Sequence, residues 1–337
     1  VALTRTERPA DTDREPVLVL RALGLGDALA GIPALRGLRR RFPRRRLLLA
    51  GHGEAARLLQ RHRLVDDVVP TTGLDDPPPG LALGPHLAVN LHGRGPQSHR
   101  LLQAGRPTTL VAFAEPASAH RGPGWDPEEH EVIRWCRLVG SIGGVCGPED
   151  LRLAPRDDAD ARRGPIVLHP GAAGGSRRWP IQRFAGVAAV LAVLGQPVVV
   201  TGSAAEAQLC SDLVVAAGLP SEADLAGRLD LAALMGLLRE ARLLICGDTG
   251  VAHLATALAT PSVLLFGPTP PDHWGPLIDP DRHRVLWPGY RGRPPGDPQG
   301  AVPDPTLLRI TTQDVLSAAG ELLLPPEHRP AHPLTLP

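Results

Sequence analysis

The sequence contains no lysine; all 36 of its lysine-or-arginine positions are arginine. This rules out the lysine of a Walker-type phosphate loop and any Schiff-base lysine. Cysteine is scarce as well: Cys136, Cys146, Cys210 and Cys246 form no CxxC pair. Cys210 and Cys246 fall in a predicted helix and a predicted strand, where small thiols are buried, and the pattern suits a reduced, cytoplasmic protein. No apolar run reaches about 18 residues, and the opening VALTRTERPADTDREP has no apolar core of signal-peptide length, so neither a membrane span nor export is expected. Charge of one sign is lacking too, with 36 basic residues against 35 acidic ones and only 3% aromatics. A nucleic-acid binder working through bulk charge and base stacking is therefore disfavoured.

What is present is 337 residues with 43% apolar content, enough for two ordinary domains. Two segments open on the same plan. VLVLRALGLGDALAGIPALRGLRRRFP leads into RRLLLAG, and IVLHPGAAGGSRRWPIQRFAGVAAVLAVLGQP leads into VVVTG. Each reads as a buried strand, a Gly-rich turn, a helix and a second strand, the βαβ unit of a parallel sheet. The expected organisation is an N-terminal tail over 1–15, a Rossmann-like domain over 16–155 and a charged linker over 156–165. A second Rossmann-like domain over 166–310, a C-terminal helix over 311–324 and a loose tail over 325–337 complete it. Thr311-Thr312-Gln313-Asp314 marks the start of that last helix.

The stretch LLICGDTGVAHLATALATPSVLLFGPT, residues 243–269, carries the strongest chemical signal. A strand ending in Asp248-Thr249-Gly250 and feeding straight into a helix leaves backbone N–H groups and the positive helix end facing outward, which attracts anions. Gly247 and Gly250 permit close approach, Thr249 adds a hydroxyl, and His253 sits one turn in. Asp248 complicates the picture, since a carboxylate repels a diphosphate. Helix capping by Asp248 and a satisfied core His253 stay open as the plainer reading. A second Gly-rich turn, His169 to Pro180, adds Ser176, Arg177 and Arg178, whose guanidinium forks suit phosphate oxygens. Two such turns in one sheet describe a seat for a nucleoside diphosphate. Glu206, after VVVTGSAA, is placed either for a nucleoside hydroxyl or as a solvated helix-start carboxylate.

LRALGLGDALAG resembles a dinucleotide fingerprint but has Leu29 where the third glycine belongs. Asp27 is then either a helix cap or a general base. Seven arginines between Arg36 and Arg46 are either a solvated helix end or a foothold on an anionic membrane surface or acceptor. In the loop NLHGRGPQSHR, residues Asn90, His92 and Arg94 are candidates for facing an acceptor.

Three blocks together resemble the family 9 glycosyltransferases, whose best-known members are the ADP-heptose:lipopolysaccharide heptosyltransferases. They are LGLGDALAGIPALRGLRRRFP, HPGAAGGSRRWPIQRFAGVAAVL and DLAGRLDLAALMGLLREARLLICGDTGVAHLATALATPSVLLFGPTPPDHWGP. The resemblance implies the α/β GT-B architecture, two Rossmann-like doubly wound parallel-sheet domains facing across a cleft. It also implies inverting transfer of a sugar, heptose from ADP-heptose, to a glycan or glycolipid acceptor in lipopolysaccharide core biosynthesis, with no metal or other cofactor. Asp27 falls on the family's catalytic base, and Asp248, Thr249, Gly250 and His253 on its donor signature. Arg177 falls where the family often has a phosphate-contacting Lys, and Glu206 near its nucleoside-recognising acid. Ala172 and Ala173 depart from the pattern, standing where well-known members carry hydroxyls, with Ser176 as a candidate substitute. A nucleotide-sugar epimerase or hydrolase on the same scaffold, or a non-catalytic nucleotide-sugar binder, are the rival expectations.

Overall fold

The computed structural model describes residues 15–71, 73–74, 84–153, 164–289 and 296–324. The predicted tails, but for Glu15, and most of the predicted linker lie outside the described residues. The chain divides into two compact units. The first takes in the chain up to Gly24, Gly31–Pro127 and Ile133–Gly147, and the second takes in Leu25–Ala30, Glu128–Val132 and everything from Pro148.

The first unit is built on strands β1 (Val17–Leu20), β2 (Leu47–Gly51), β3 (Asp67–Pro70), β4 (Leu87–Asn90) and β5 (Thr109–Val111). They form one parallel sheet in the order β3-β2-β1-β4-β5. Strands β1, β2 and β4 are buried along their whole length, which is why VLVL, LLLAG and LAVN read as unbroken apolar runs rather than alternating ones. The helix Ile32–Arg41 buries Ile32, Leu35 and Leu38 at helical spacing. Its arginine-rich end is solvated and paired: Arg39 bridges Asp66 at 2.8 Å, Arg46 bridges Asp67, and the Arg41 and Arg45 guanidinia lie 4.9 and 4.8 Å from the Phe42 ring.

The second unit carries β6 (Ile166–His169), β7 (Val198–Val200), β8 (Leu243–Gly247), β9 (Ser262–Leu265) and β10 (His283–Leu286). These pair in parallel in the order β10-β9-β8-β6-β7. Its core gathers Ile166, Leu168, Val187, Leu213, Ile245, Val263 and Leu265, all at most 1% exposed. Trp179 packs edge-on to Phe184 at 5.0 Å, and its Nε1 donates to Ile310 O at 3.1 Å, so this aromatic pair is core. Cys210 and Cys246 are buried in the second unit, whereas Cys136 and Cys146 are half-buried in the first.

In each sheet the strand order reverses once, between β1 and β4 and between β6 and β8. Crevices for ligands in open parallel sheets form beyond the carboxyl ends of the strands at such points. The final helix, Thr312–Leu323, starts on a capping box in which Thr311 and Asp314 satisfy each other's main-chain N–H groups. Thr311→Ala should therefore lower unfolding free energy by about 1 kcal/mol. Gln313→Ala, at an exposed neighbouring position, should change it by no more than about 0.5 kcal/mol. Urea denaturation of both variants checks the contrast.

Candidate functional site

At the carboxyl edge of the second sheet, β6 and β8 lie side by side, and the turns that leave them are pressed together. A Cβ at Gly247 would come within 2.8 Å of Arg177 O, so only glycine lets the two turns approach this closely. The Arg177 guanidinium crosses the junction, donating from Nη1 to Asp248 O at 3.1 Å and standing 4.0 Å from Asp248 Oδ2. Thr249 is the N-cap of the helix Gly250–Ala257, with extended backbone and no side-chain cap bond. Asp248 is therefore not the cap. It is buried, and burial pushes its carboxyl up to about 6, against the pull of Arg177 and with a further push from Asp27.

The short helix Leu25–Ala30 joins this corner inside the same unit. A Cβ at Gly26 would lie 2.8 Å from His253 Cδ2, and one at Gly250 would lie 2.9 Å from Leu25 Cβ. Glycines on both sides thus allow the two helix starts to touch. Asp27 is half-buried in the first turn of its helix rather than at a cap, and its charge reaches Asp248. His253 is half-buried and meets the Trp274 ring edge-on at 5.6 Å. The corner therefore brings together Asp27, Arg177, Asp248, Thr249, Gly250 and His253.

The Ser176 main-chain N donates to Gly300 O at 2.8 Å, its O accepts from Asp304 N at 3.0 Å, and its hydroxyl is buried without a partner. Gly174 and Gly175 are covered as well, since a Cβ at either would lie 2.1 or 2.0 Å from the carbonyl oxygen of Pro298 or Ala301. The segment from Gly296, expected only to be irregular, covers the turn that the sequence offered as open donors. Arg178 turns back, its Nε donating to Ala172 O at 2.9 Å.

Next to the corner is a cavity of about 290 Å³ whose lining includes Thr249, Glu206, His169, Thr201 and Asp230 with the apolar Leu229, Leu231 and Leu234. Glu206 Oε2 accepts from Ser203 N and Oγ, both at 2.8 Å, in a capping box. A Cβ at Gly171 would lie 2.0 Å from Glu206 Oε1, so this glycine makes room for the carboxylate. Glu206 is thus a helix-start carboxylate that also lines the cavity. His169 had no assigned role in the sequence. The signal for it was its place as the last residue of a strand at the reversal point.

In the first unit, Asn90 is fully buried. It donates to Gly93 O at 3.1 Å and Ser98 Oγ at 2.9 Å, and its Oδ1 accepts from His92 N at 3.0 Å. This corrects the expectation that its side chain faces an acceptor: it shapes the loop instead. His92 Nδ1 accepts from Ala22 N at 3.2 Å, and burial, with Arg21 nearby, lowers its pKa to about 4. The ring is neutral and carries its proton on Nε2. Arg94 is 64% exposed and 3.6 Å from Glu115 Oε2. Arg21, which sequence reading passed over, is buried with its Nη1 donating to Leu91 O and its guanidinium 5.0 Å from the Trp135 ring centroid. Among the described residues, no group of three or more His, Cys, Asp or Glu side chains is placed to hold a metal ion, and no helix is long and apolar enough to cross a membrane.

Two five-stranded parallel sheets with flanking helices, each reversing order once, define a protein of the GT-B class. The fold matches that of Escherichia coli ADP-heptose lipopolysaccharide heptosyltransferase II over 91% of this chain and 98% of that one, with a TM-score of 0.71 at 22% identity. It also matches a family 9 glycosyl transferase from Veillonella parvula DSM 2008 over 92% and 97%, with a TM-score of 0.75 at 19% identity. Residues 146–288 match the model of glycosyltransferase family 9 (heptosyltransferase). Lipopolysaccharide heptosyltransferase 2 of Escherichia coli K12 is 33% identical over 166 residues, 48% of this chain and 47% of that protein. Lipopolysaccharide heptosyltransferase 1 of Pseudomonas aeruginosa is 38% identical over 154 residues, 44% and 42% respectively. The chain spans about half the length of the curated relatives it matches.

The raised Asp248 pKa has a measurable consequence. A buried acid whose folded pKa of about 6 stands above its ordinary 3.8 is protonated and harmless below about pH 4; it destabilises the fold progressively as pH rises to about 6. Asp248→Asn removes that titration. The unfolding free energy of the variant minus that of the wild type should rise between pH 4 and 7 by something on the order of 2–3 kcal/mol. A difference that stays flat over this range in paired denaturation curves would mean that the carboxyl is solvated.

Proposed function

We propose that the chain is an inverting glycosyltransferase that moves a sugar, heptose from ADP-heptose, to a hydroxyl of a glycan or glycolipid acceptor, without a metal. The observation that carries this reading is the placement of Asp27 on a short helix packed against the start of the helix Gly250–Ala257, with its charge felt at Asp248. The match of residues 146–288 to the family 9 model and the heptosyltransferase names of the relatives support the choice of sugar and nucleotide.

In this reading Asp27 takes the proton of the acceptor hydroxyl as its oxygen attacks the anomeric carbon. The bond from that carbon to the diphosphate oxygen breaks, and the diphosphate leaves with the electron pair. A single displacement of this kind inverts the anomeric centre. The developing negative charge meets the N-terminus of the helix Gly250–Ala257, the Thr249 hydroxyl and Arg177, with His253 one turn further along. These groups supply the charge stabilisation that a divalent cation provides in other transferases. Asp248, with a pKa near 6, is easily protonated when an anion arrives, which removes the repulsion that a carboxylate would exert on a diphosphate.

Glu206 holds the nucleoside. On the acceptor side, the neutral His92 and the exposed Arg94 offer donors, and Asn90 sets the loop that presents them. The solvated arginines Arg40, Arg41 and Arg44 give a foothold on an anionic membrane surface for a cytoplasmic enzyme that works on a glycolipid.

Asp27→Asn should cut heptose transfer by about 10²–10⁴-fold, the usual worth of a general base, while ADP affinity stays within about twofold of wild type. Transfer is read by product formation from ADP-heptose and affinity by calorimetry. A variant that turns over at near wild-type rate refutes the role. Release of free sugar or an epimer by the wild type without acceptor would instead favour a hydrolase or epimerase.

A further inference from the structure

The cavity beside the Asp248 corner is lined by the apolar Leu229, Leu231 and Leu234, suited to the flat face of a base, and by the polar His169, Thr201, Ser203, Glu206, Asp230 and Thr249. The volume of about 290 Å³ is at the lower end for ligand pockets and suits one nucleoside rather than a larger group.

Thr201 Oγ1 lies 3.1 Å from His169 Nδ1 and 3.4 Å from Leu168 O, so the threonine hydroxyl engages Nδ1. His169 Nε2 has no hydrogen-bond partner among the described residues, and the ring lines the cavity with only 7% of the residue exposed. Burial lowers the pKa of the ring, so it stays neutral. In either neutral tautomer Nε2 makes one hydrogen bond to a hydroxyl, as donor or as acceptor. Glu206 adds a carboxylate whose Oε2 is used in the capping box and whose Oε1 rests against Gly171. The polar lining thus offers a hydrogen-bonding group to each hydroxyl of a cis-diol.

We propose that His169 is a specificity-determining residue whose Nε2 hydrogen-bonds to one ribose hydroxyl of the bound nucleotide, while Glu206 takes the other. This rests on the nucleotide-sugar reading above and adds to it a selection for ribose over deoxyribose. A buried polar atom that loses its partner is left unsatisfied, so a deoxy sugar is disfavoured.

The test is calorimetry on the full chain with ADP, 2′-deoxy-ADP and 3′-deoxy-ADP. Wild type should bind each deoxy analogue about tenfold more weakly than ADP, the scale of one buried hydrogen bond. In His169→Phe, ADP affinity should fall about tenfold and the penalty for one of the two missing hydroxyls should vanish, while the penalty at the hydroxyl held by Glu206 remains. His169→Asn, smaller and polar, keeps the fold if phenylalanine does not fit. It withdraws the Nε2 position from the cavity and should behave in the same way. The proposal is overturned if both penalties persist in these variants, or if wild type binds the deoxy analogues as well as ADP. If wild type binds none of ADP, GDP, UDP or dTDP, the nucleotide reading itself falls, an outcome distinct from the loss of discrimination.

Discussion

The second unit depends on the crossing of one guanidinium over the junction between two turns. Arg177 leaves the turn after β6, reaches the main-chain oxygen of Asp248 after β8, and stands near a carboxylate that water does not solvate. Strand order makes this possible, because β6 and β8 are neighbours at the point where that order reverses. Gly247 makes it close, because no side chain fits between its α-carbon and Arg177 O. The arrangement has a cost: Arg177 Nε is buried without a partner, and Asp248 is held above its ordinary pKa. Unsatisfied groups of this kind are expected where a fold keeps polarity in reserve for a ligand rather than spending it on internal bonds.

Glycine sets the other distances. Gly26 and Gly250 let two helix starts meet at van der Waals range, which positions a half-buried Asp27 within reach of the same corner. Gly171 does the same for Glu206 at the cavity wall. In each case an added Cβ would fall under 3 Å from a neighbour. The backbone geometry of the site therefore depends on residues that contribute no chemistry of their own.

The parallel sheets were legible because strands buried on both faces leave unbroken apolar runs such as VLVL and LLLAG, and because the turns after them are marked by glycine. The residues of the Asp248 corner were legible for the same reason, as a glycine-flanked strand end opening a helix. Four things were not. Periodicity carries no information on which strands become neighbours, so the reversal points had to come from the structure. The grouping of Leu25–Ala30 with the second unit depends on long-range packing of Gly26 against His253, which no local pattern announces. The covering of Gly174–Ser176 by the segment at 298–304 joins regions over 120 residues apart, and the Pro and Gly content of that segment signals only irregularity. Asn90 looked like a surface donor because it follows a strand, yet its amide is consumed by the loop it organises.

The thiols supply one further consequence. Cys210 and Cys246 are sealed in the second unit, and burial drives both sulfhydryls well above their usual ionisation range, so they stay unreactive while that unit is folded. Cys136 and Cys146, half-buried in the first unit, are more accessible to solvent. A thiol-specific reagent applied over time would therefore act as a two-hand clock, its fast hand timing fluctuations of one half of the chain and its slow hand timing the unfolding of the other.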